Sequence, residues 1–451
     1  MSRPMLLAAA LAGAVTMTSP FAYAASDADI QALRAELQAM KQAYEDKIDR
    51  LESRIADMEE SKAGQSAMGN QSAAPSGPAA AVPSVGDNSM NPSLGVIFNG
   101  RYGNYTESES EIAGFAIGHE GERPDEGLRI DETEMNFKAS VDDKFLGSAT
   151  IAFAEHEGET EVEVEEAYVQ TTSLPGGVVA RAGRFFVPLG YLNELHAHAD
   201  DFADRPLPNR VFLDRSYGDD GVGISWVLPT DFYSEIGAGG FRGRGFPAEG
   251  GDGGDIGAWN AYARTGGDIG DEISWRLGIS TLQTRGIDRA GNEDSVLFEG
   301  DSDLYALDGR WVWAPGGNNR EREVILQGEY FLRDEDGAYE DVDAGTGFVA
   351  YDETQSGWYV QGVYKFDPQW RVGARYSALS SADAPAGLAG SALDDDGHNP
   401  WTASGMVDWS NSEFSRLRVQ YNREELAGEQ EDNQLLIQYI MSIGAHGAHP
   451  F

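Results

Sequence analysis

From Leu94 onward the chain alternates apolar and polar residues with a period of two, and its turns sort by length. Few folds allow both. Val96, Phe98, Gly100 and Tyr102 interleave with Ile97, Asn99 and Arg101. Ile273, Trp275, Leu277 and Ile279 interleave with Ser274, Arg276 and Gly278, and Leu417, Val419 and Tyr421 with Arg416, Arg418, Gln420 and Asn422. Such a period marks strands with two unlike faces. About sixteen of these segments follow one another, among them 271–283, 303–314, 321–333 and 356–366. Every second connection is short, as at Asp142-Asp143-Lys144, Thr230-Asp231 and Asp367-Pro368. The intervening ones are mostly long and acidic, as at Glu107–Gly127, Tyr191–Gly218, Leu282–Asp301 and Asp334–Gln355. A soluble sandwich would alternate too, but its polar face would be the outer one and its turns would not sort. Residues 94–451 therefore predict an all-β transmembrane barrel of antiparallel strands, apolar outside and charged within.

Aromatic residues agree with this. Trp311, Trp313, Trp370, Trp401 and Trp409 sit near segment ends, where amphipathic rings settle at a bilayer interface. The chain closes on LLIQYIMSIGAHGAHPF, with a terminal Phe451. One segment breaks the pattern: keeping Val162 and Val164 outward also puts Glu166 outward, so the strand from Glu161 to Thr172 needs a bulge or a subunit contact.

Ahead of the barrel lie three unlike stretches. Arg3 precedes an apolar run from Met5 to Met17, and Ala22-Tyr23-Ala24 offers small residues for cleavage, so 1–24 reads as an export signal. From 25 to 60 the apolar residues Ile30, Leu33, Leu37, Met40, Tyr44, Ile48, Leu51, Ile55 and Met58 trace a heptad seam with one stutter. Charged residues fill the other faces, so this helix has only a narrow stripe to bury. A short parallel coiled coil in the periplasm, most simply a homotrimer, is expected; the alternative is a single amphipathic helix. Residues 61–93 form a Gly, Ala, Ser and Pro linker.

Charge excludes some partners. With 75 acids against 33 bases the net charge is -42, which argues against nucleic acid, since phosphate binding needs clustered Lys and Arg. Cysteine is absent, which removes disulfides, thiol catalysis and thiolate metal sites.

The Tyr191–Gly218 connection is the third on the long-loop side, and loops of this length are usually functional. It is expected to fold inward and narrow the pore with Glu194, His196, His198, Asp200, Asp201, Asp204, Arg205, Arg210 and Asp214. Arg101, Arg276, Arg310, Arg371, Arg375, Arg416 and Arg418 fall on the lumen face and form a basic ladder opposite the loop's acids. Such an arrangement either sets a transverse field for solute selection or pairs locally, Arg205 and Arg210 with nearby Asp, to hold the loop. Glu132, Glu134, Glu161, Glu163 and Glu165 add negative lumen charge, which with the overall acidity favours cations. His196, His198 and Asp200 are the candidate metal ligands, since imidazole and carboxylate together suit a transient Zn²⁺ or another divalent cation. His446 and His449 are weaker candidates. No resident cofactor is expected, and no Ser-centred elbow or phosphate loop points to catalysis.

A leader, a short coiled coil, a low-complexity linker and about sixteen strands resemble the trimeric outer-membrane porins of the O/P and DcaP-like kind. The segment GRFFVPLGYLNELHAHADDFADRPLPNRVFL, Gly183 to Leu213, is similar to one in outer-membrane proteins labelled zinc-regulated. The porin resemblance implies a third external loop folded into the lumen. The expected function is passive diffusion of small hydrophilic solutes or ions through a barrel embedded in outer-membrane lipid. The alternatives are a receptor or adhesin, or a barrel enzyme for which His119 and His156 are the nearest candidates.

Overall fold

The computed structural model describes residues 92–107, 110–156, 159–249, 256–428 and 430–444. The signal, coiled-coil and linker expectations, His446, His449 and the terminal Phe451 lie outside the described residues, apart from the linker's last two positions.

Sixteen antiparallel strands close into one barrel, each paired with its neighbours in sequence and the first with the last. They begin with β1 (Ser93–Tyr105), β2 (Gly127–Ser140), β3 (Phe145–His156), β4 (Glu159–Thr171), β5 (Val178–Phe186), β6 (Gly218–Val227), β7 (Tyr233–Phe241) and β8 (Ala258–Ile269). The second half comprises β9 (Ile273–Gly291), β10 (Val296–Trp313), β11 (Glu323–Asp341), β12 (Val349–Asp367), β13 (Trp370–Ser380), β14 (Trp401–Ser412), β15 (Ser415–Glu425) and β16 (Glu431–Gly444). Closure pairs Arg101 with Gln438 and Ile97 with Ser442, so the first and last strands present no free edge to each other. Every segment expected to be a strand is one.

Apolar side chains face out. On β10, Tyr305 and Leu307 are exposed while Ser302 and Asp308 are buried; on β15, Val419 and Tyr421 point out while Arg418, Gln420 and Asn422 point in. Trp313 and Trp370 are exposed near the short-turn end, and Trp370 pairs with Trp409. No helix among the described residues is long and apolar enough to cross a membrane; this fold crosses with strands.

Two expectations need correction. The connections expected at 282–301 and 334–355 are mostly strand: β9 runs on to Gly291, β10 starts at Val296, and β11 and β12 meet across residues 342–348. Roughly 9–11 tilted residues suffice to span a bilayer. Beyond it the outer face meets water rather than lipid, so outward residues such as Glu299, Asp301, Asp334 and Asp336 are polar while Val296, Phe298 and Tyr339 are buried on the inner face, and backbone pairing continues from Asp301↔Asp336 to Val296↔Asp341. The lumen is also not uniformly charged. Leu282, Leu304, Phe331 and Leu379 point inward and join a buried apolar cluster with the third loop.

The irregular strand resolves as a bulge. Thr150 pairs with Glu166 and Ile151 with Val164, which leaves Glu165 as the extra residue of β4. A second irregularity, in β2, lies between Asp131 and Glu134 opposite Ile97 and Asn99.

Candidate functional site in the inward-folded third loop

Loop 3, residues 187–217, enters the barrel directly after β5. The entry turn needs glycine: Gly190 has φ +68°, and a Cβ there would meet Glu329 Oε2 at 2.5 Å. Glu329 Oε1 accepts hydrogen bonds from the Tyr191 and Leu192 amides at 3.0 and 2.8 Å and from Tyr359 at 2.9 Å. Asn193 then ties the loop's two ends together, donating to the Val187 and Tyr217 carbonyls at 2.7 and 3.0 Å and accepting from the Tyr217 amide at 2.6 Å. Sequence reasoning missed both residues. Strand parity placed Glu329 in the lumen, but nothing local marked Asn193.

After two short 3₁₀ turns, helix α1 (Leu207–Leu213) starts behind Pro206 and ends at Asp214, which takes the left-handed conformation at φ 50°. All seven helix residues are buried, and Phe212 packs edge-on against Phe115 and tilted against Phe331. The helix thus forms an apolar plug beneath loop 1 (106–126), a consequence of LPNRVFL having no wet face.

On one side the basic ladder grips this loop. Arg371 binds Asp201 at 2.8 Å, Arg310 approaches the same carboxylate at 3.9 Å, and Arg375 pairs with Asp204. Asp204 also accepts from Gln420 and Asn422 at 2.6 and 2.7 Å. Arg416 and Arg418 donate to the carbonyls of His198 and Asp200 at 2.8 and 2.9 Å, and Arg101 to that of Ala203 at 3.0 Å. Glu194 pairs with Arg264 and, at 3.3 Å, with Arg276. Of the two structural options for these charges, local pairing is what the geometry displays. Burial opposes ionisation of Asp201, yet Arg371 and Arg310 hold its carboxyl below the usual range.

The expected internal arginine pairs divide. Arg205 binds Asp200 at 2.5 Å and the carbonyls of Leu192 and Leu195, both at 2.6 Å. Arg210 instead donates to the Gly121 carbonyl at 2.9 Å and faces Glu424 at 3.6 Å, so it links loop 3 to loop 1 and the wall rather than to a neighbouring Asp. Asp214 accepts from the Gly121 amide at 2.5 Å, and burial, reinforced by Glu120, pushes its carboxyl up to about 7.

The opposite side carries the histidines. His196 and His198 stack, ring centroids 5.7 Å apart and 16° from parallel. His196 Nδ1 lies 3.2 Å from Glu165 Oε2 and 3.5 Å from Glu134 Oε2, and its Nε2 lies 3.2 Å from Glu166 Oε2. His198 Nδ1 lies 2.5 Å from Glu134 Oε1. Burial alone would lower the His196 pKa, but Glu134 and the contacts to Glu165 and Glu166 carry it well above the ordinary imidazole value. The β4 bulge is what allows successive glutamates to reach both ring nitrogens. Asp200, expected beside the imidazoles, is turned to Arg205 instead; the buried Glu134 and the bulge residues take its place. Of the other expected lumen acids, Glu132 meets Arg215 at 3.3 Å, Glu163 meets Arg184 at 3.3 Å, and Glu161 stays exposed.

Above the loop opens a vestibule of about 760 Å³. Its lining holds seven acids, Glu107, Glu111, Glu120, Glu122, Asp125, Glu126 and Glu293, against three arginines, Arg123, Arg129 and Arg215. Adjoining it, a small cavity of about 30 Å³ lies among Arg101, Arg205, Arg210, Arg215, Glu122 and Asp204.

A closed sixteen-stranded barrel with an inward-folded third loop is a porin-like fold. The chain belongs to one family with an uncharacterized protein of Aquifex aeolicus (strain VF5), to which it is 30% identical over 367 residues, 76% of this chain and 75% of the relative. No protein-family model matches it. Among solved structures, the outer membrane channel DcaP of Acinetobacter baumannii superposes with a TM-score of 0.50 at 12% identity, covering 78% of this chain and 96% of that one. Salmonella typhi OmpF, solved with daunomycin, gives 0.49 at 14% identity, covering 79% and 99%.

Proposed function

We propose that this chain is an outer-membrane porin that lets small hydrophilic solutes diffuse passively, with a preference for cations. The observation that carries the reading is loop 3 lying across the lumen of a closed barrel with apolar residues outside, beneath an acidic mouth. A vestibule with seven acids and three arginines concentrates cations before they reach loop 3. Loop 3 narrows the lumen, so passage is selective for small solutes rather than general. The wall arginines are bound largely to loop carboxylates and carbonyls and act as a frame. DcaP, an outer membrane channel by name, shares the fold and supports the reading. The heptad seam at 25–60 supports a homotrimer with its coil in the periplasm. The reading includes no catalytic step.

Conductance in planar bilayers tests it. Purified protein should give steady ohmic steps, and under a KCl gradient the reversal potential should take the sign of cation preference. Silence with hydrolytic activity would replace the proposal with a barrel enzyme. Silence without it would favour a receptor or adhesin, a reading to which the tight packing of loop 3 lends some weight.

A further inference from the structure

We infer that Glu134, Glu165 and His196 form a binding site for one first-row divalent metal ion, Zn²⁺ being the best fit, that ties loop 3 to the β2–β4 wall. This goes beyond the diffusion reading and does not depend on it. Three elements each bring one donor atom, and all three lie within 4.8 Å of one another. Around tetrahedral zinc, with bonds of about 2.0–2.1 Å, ligand atoms stand about 3.3 Å apart. The separations from His196 Nδ1 to Glu165 and Glu134, 3.2 and 3.5 Å, already match two edges of that tetrahedron. Only the edge between the carboxylates has to tighten, and rotation of the outer one, Glu165, supplies that.

The surroundings are those a metal-binding imidazole requires. A ligating histidine presents its other nitrogen to a carboxylate that fixes the ring. Glu166 stands there, 3.2 Å from His196 Nε2. His198 Nδ1 holds Glu134 Oε1 at 2.5 Å, and Glu134 Oε2, 3.4 Å from Asn136 Nδ2, is the oxygen that faces His196. Phe186 lies edge-on to the His196 ring at 5.1 Å and His198 stacks on its other side, so the ring's direction is set by packing. The backbone is built to the same end, because β2 and β4 are both irregular at this level and the β4 irregularity turns Glu165 and Glu166 to the same side. Bulges commonly re-aim side chains at functional sites. Two carboxylates neutralise a dication, one imidazole selects Zn²⁺ over Ca²⁺ or Mg²⁺, and the fourth position remains for water or a passing solute.

The test uses the full-length protein in detergent, stripped with chelator and titrated with Zn²⁺ by calorimetry, with Co²⁺ as a spectroscopic probe. We expect one ion per chain, visible tetrahedral Co²⁺ bands, and no displacement by excess Ca²⁺ or Mg²⁺. Glu165→Gln and His196→Ala should weaken binding at least tenfold, Glu166→Gln less so, and Asp200→Asn not at all. Retention of the heat-modifiable, folded electrophoretic form shows which variants kept the barrel. X-ray absorption of the Zn²⁺-loaded wild type needs no variant: one nitrogen with oxygens in the first shell supports the site. A shell with two or more imidazoles, full affinity in folded His196→Ala, or no stoichiometric binding each overturns it.

Discussion

Loop 3 is held from two sides by different chemistry. On the β10 and β13–β15 side the wall contributes guanidinium groups and the loop contributes carboxylates and carbonyls. On the β2–β4 side the roles reverse, with glutamates on the wall and imidazoles on the loop. Arginine is always charged and presents a rigid fork of donors, so the first side is a permanent anchor. Imidazole has a lone pair to give, so the second side changes strength with what lies between ring and carboxylates. One wall fixes where the loop lies; the other decides how firmly its outer turn is bound.

The comparison breaks most visibly at Arg418. Its guanidinium is fully buried, binding Asp408 at 2.8 Å and the Asp200 carbonyl at 2.9 Å. Truncating one partner of a buried charge pair costs about 3–5 kcal/mol. Arg418→Ala should therefore lower the unfolding free energy by that much, read as a lower denaturant midpoint at unchanged slope, and a loss below about 1 kcal/mol would show that this wall is no anchor. Asp204→Ala comes next. It removes the Arg375 pair and two amide contacts but leaves the barrel's own bonds, so its effect is local. Hydrogen bonds to charged groups contribute about 1.5–3 kcal/mol each, so amides from Asp200 to Arg205 should exchange roughly tenfold to a hundredfold faster, with little change in global stability. Uniform acceleration around the barrel would contradict a local anchor.

On the opposite wall the same kind of deletion should do less. Glu166→Gln keeps an oxygen that accepts from His196 Nε2, so in metal-free protein the loss should stay under about 1 kcal/mol. A loss as large as that of Arg418→Ala would erase the distinction between the walls.

How far the sequence leads follows the same division. The barrel, the inward parity of the arginines and the bulge before Thr172 were legible because lipid imposes period two on every spanning strand, and a glutamate on the wrong parity betrays a bulge. The inward loop was legible from its length and position. Which residues would meet inside was not, since Glu134 and His196 are far apart in sequence and only the inward path of the loop brings His196 to β2 and β4. That is why Asp200, near His198 in sequence, looked like the third ligand and the bulge residues did not. The apolar plug was hidden for another reason: Leu282 lies between Ser280 and Thr284 on the lumen face and Leu304 next to Ser302, and one apolar residue on a polar face carries no information about what covers it.

The most local effect expected is at the seam between loops 1 and 3. Asp214 caps α1, binds the Gly121 amide and has its carboxyl raised to about 7 by burial and by Glu120. A carboxyl raised by docking means that the docked seam favours the protonated acid. In the released loop the group ionises at roughly pH 4. Between there and 7 the released form gains charge that the docked form resists, so docking weakens as pH rises through this window and levels off above it. Amides at 118–121, corrected for intrinsic exchange, should lose protection across that range, while those of the arginine-held turn at 200–205 should not. Asp214→Asn, nearly the same shape without the ionisation, should flatten the dependence. If protection falls with pH equally in that variant, the seam is controlled by some other group and Asp214 is only a helix cap.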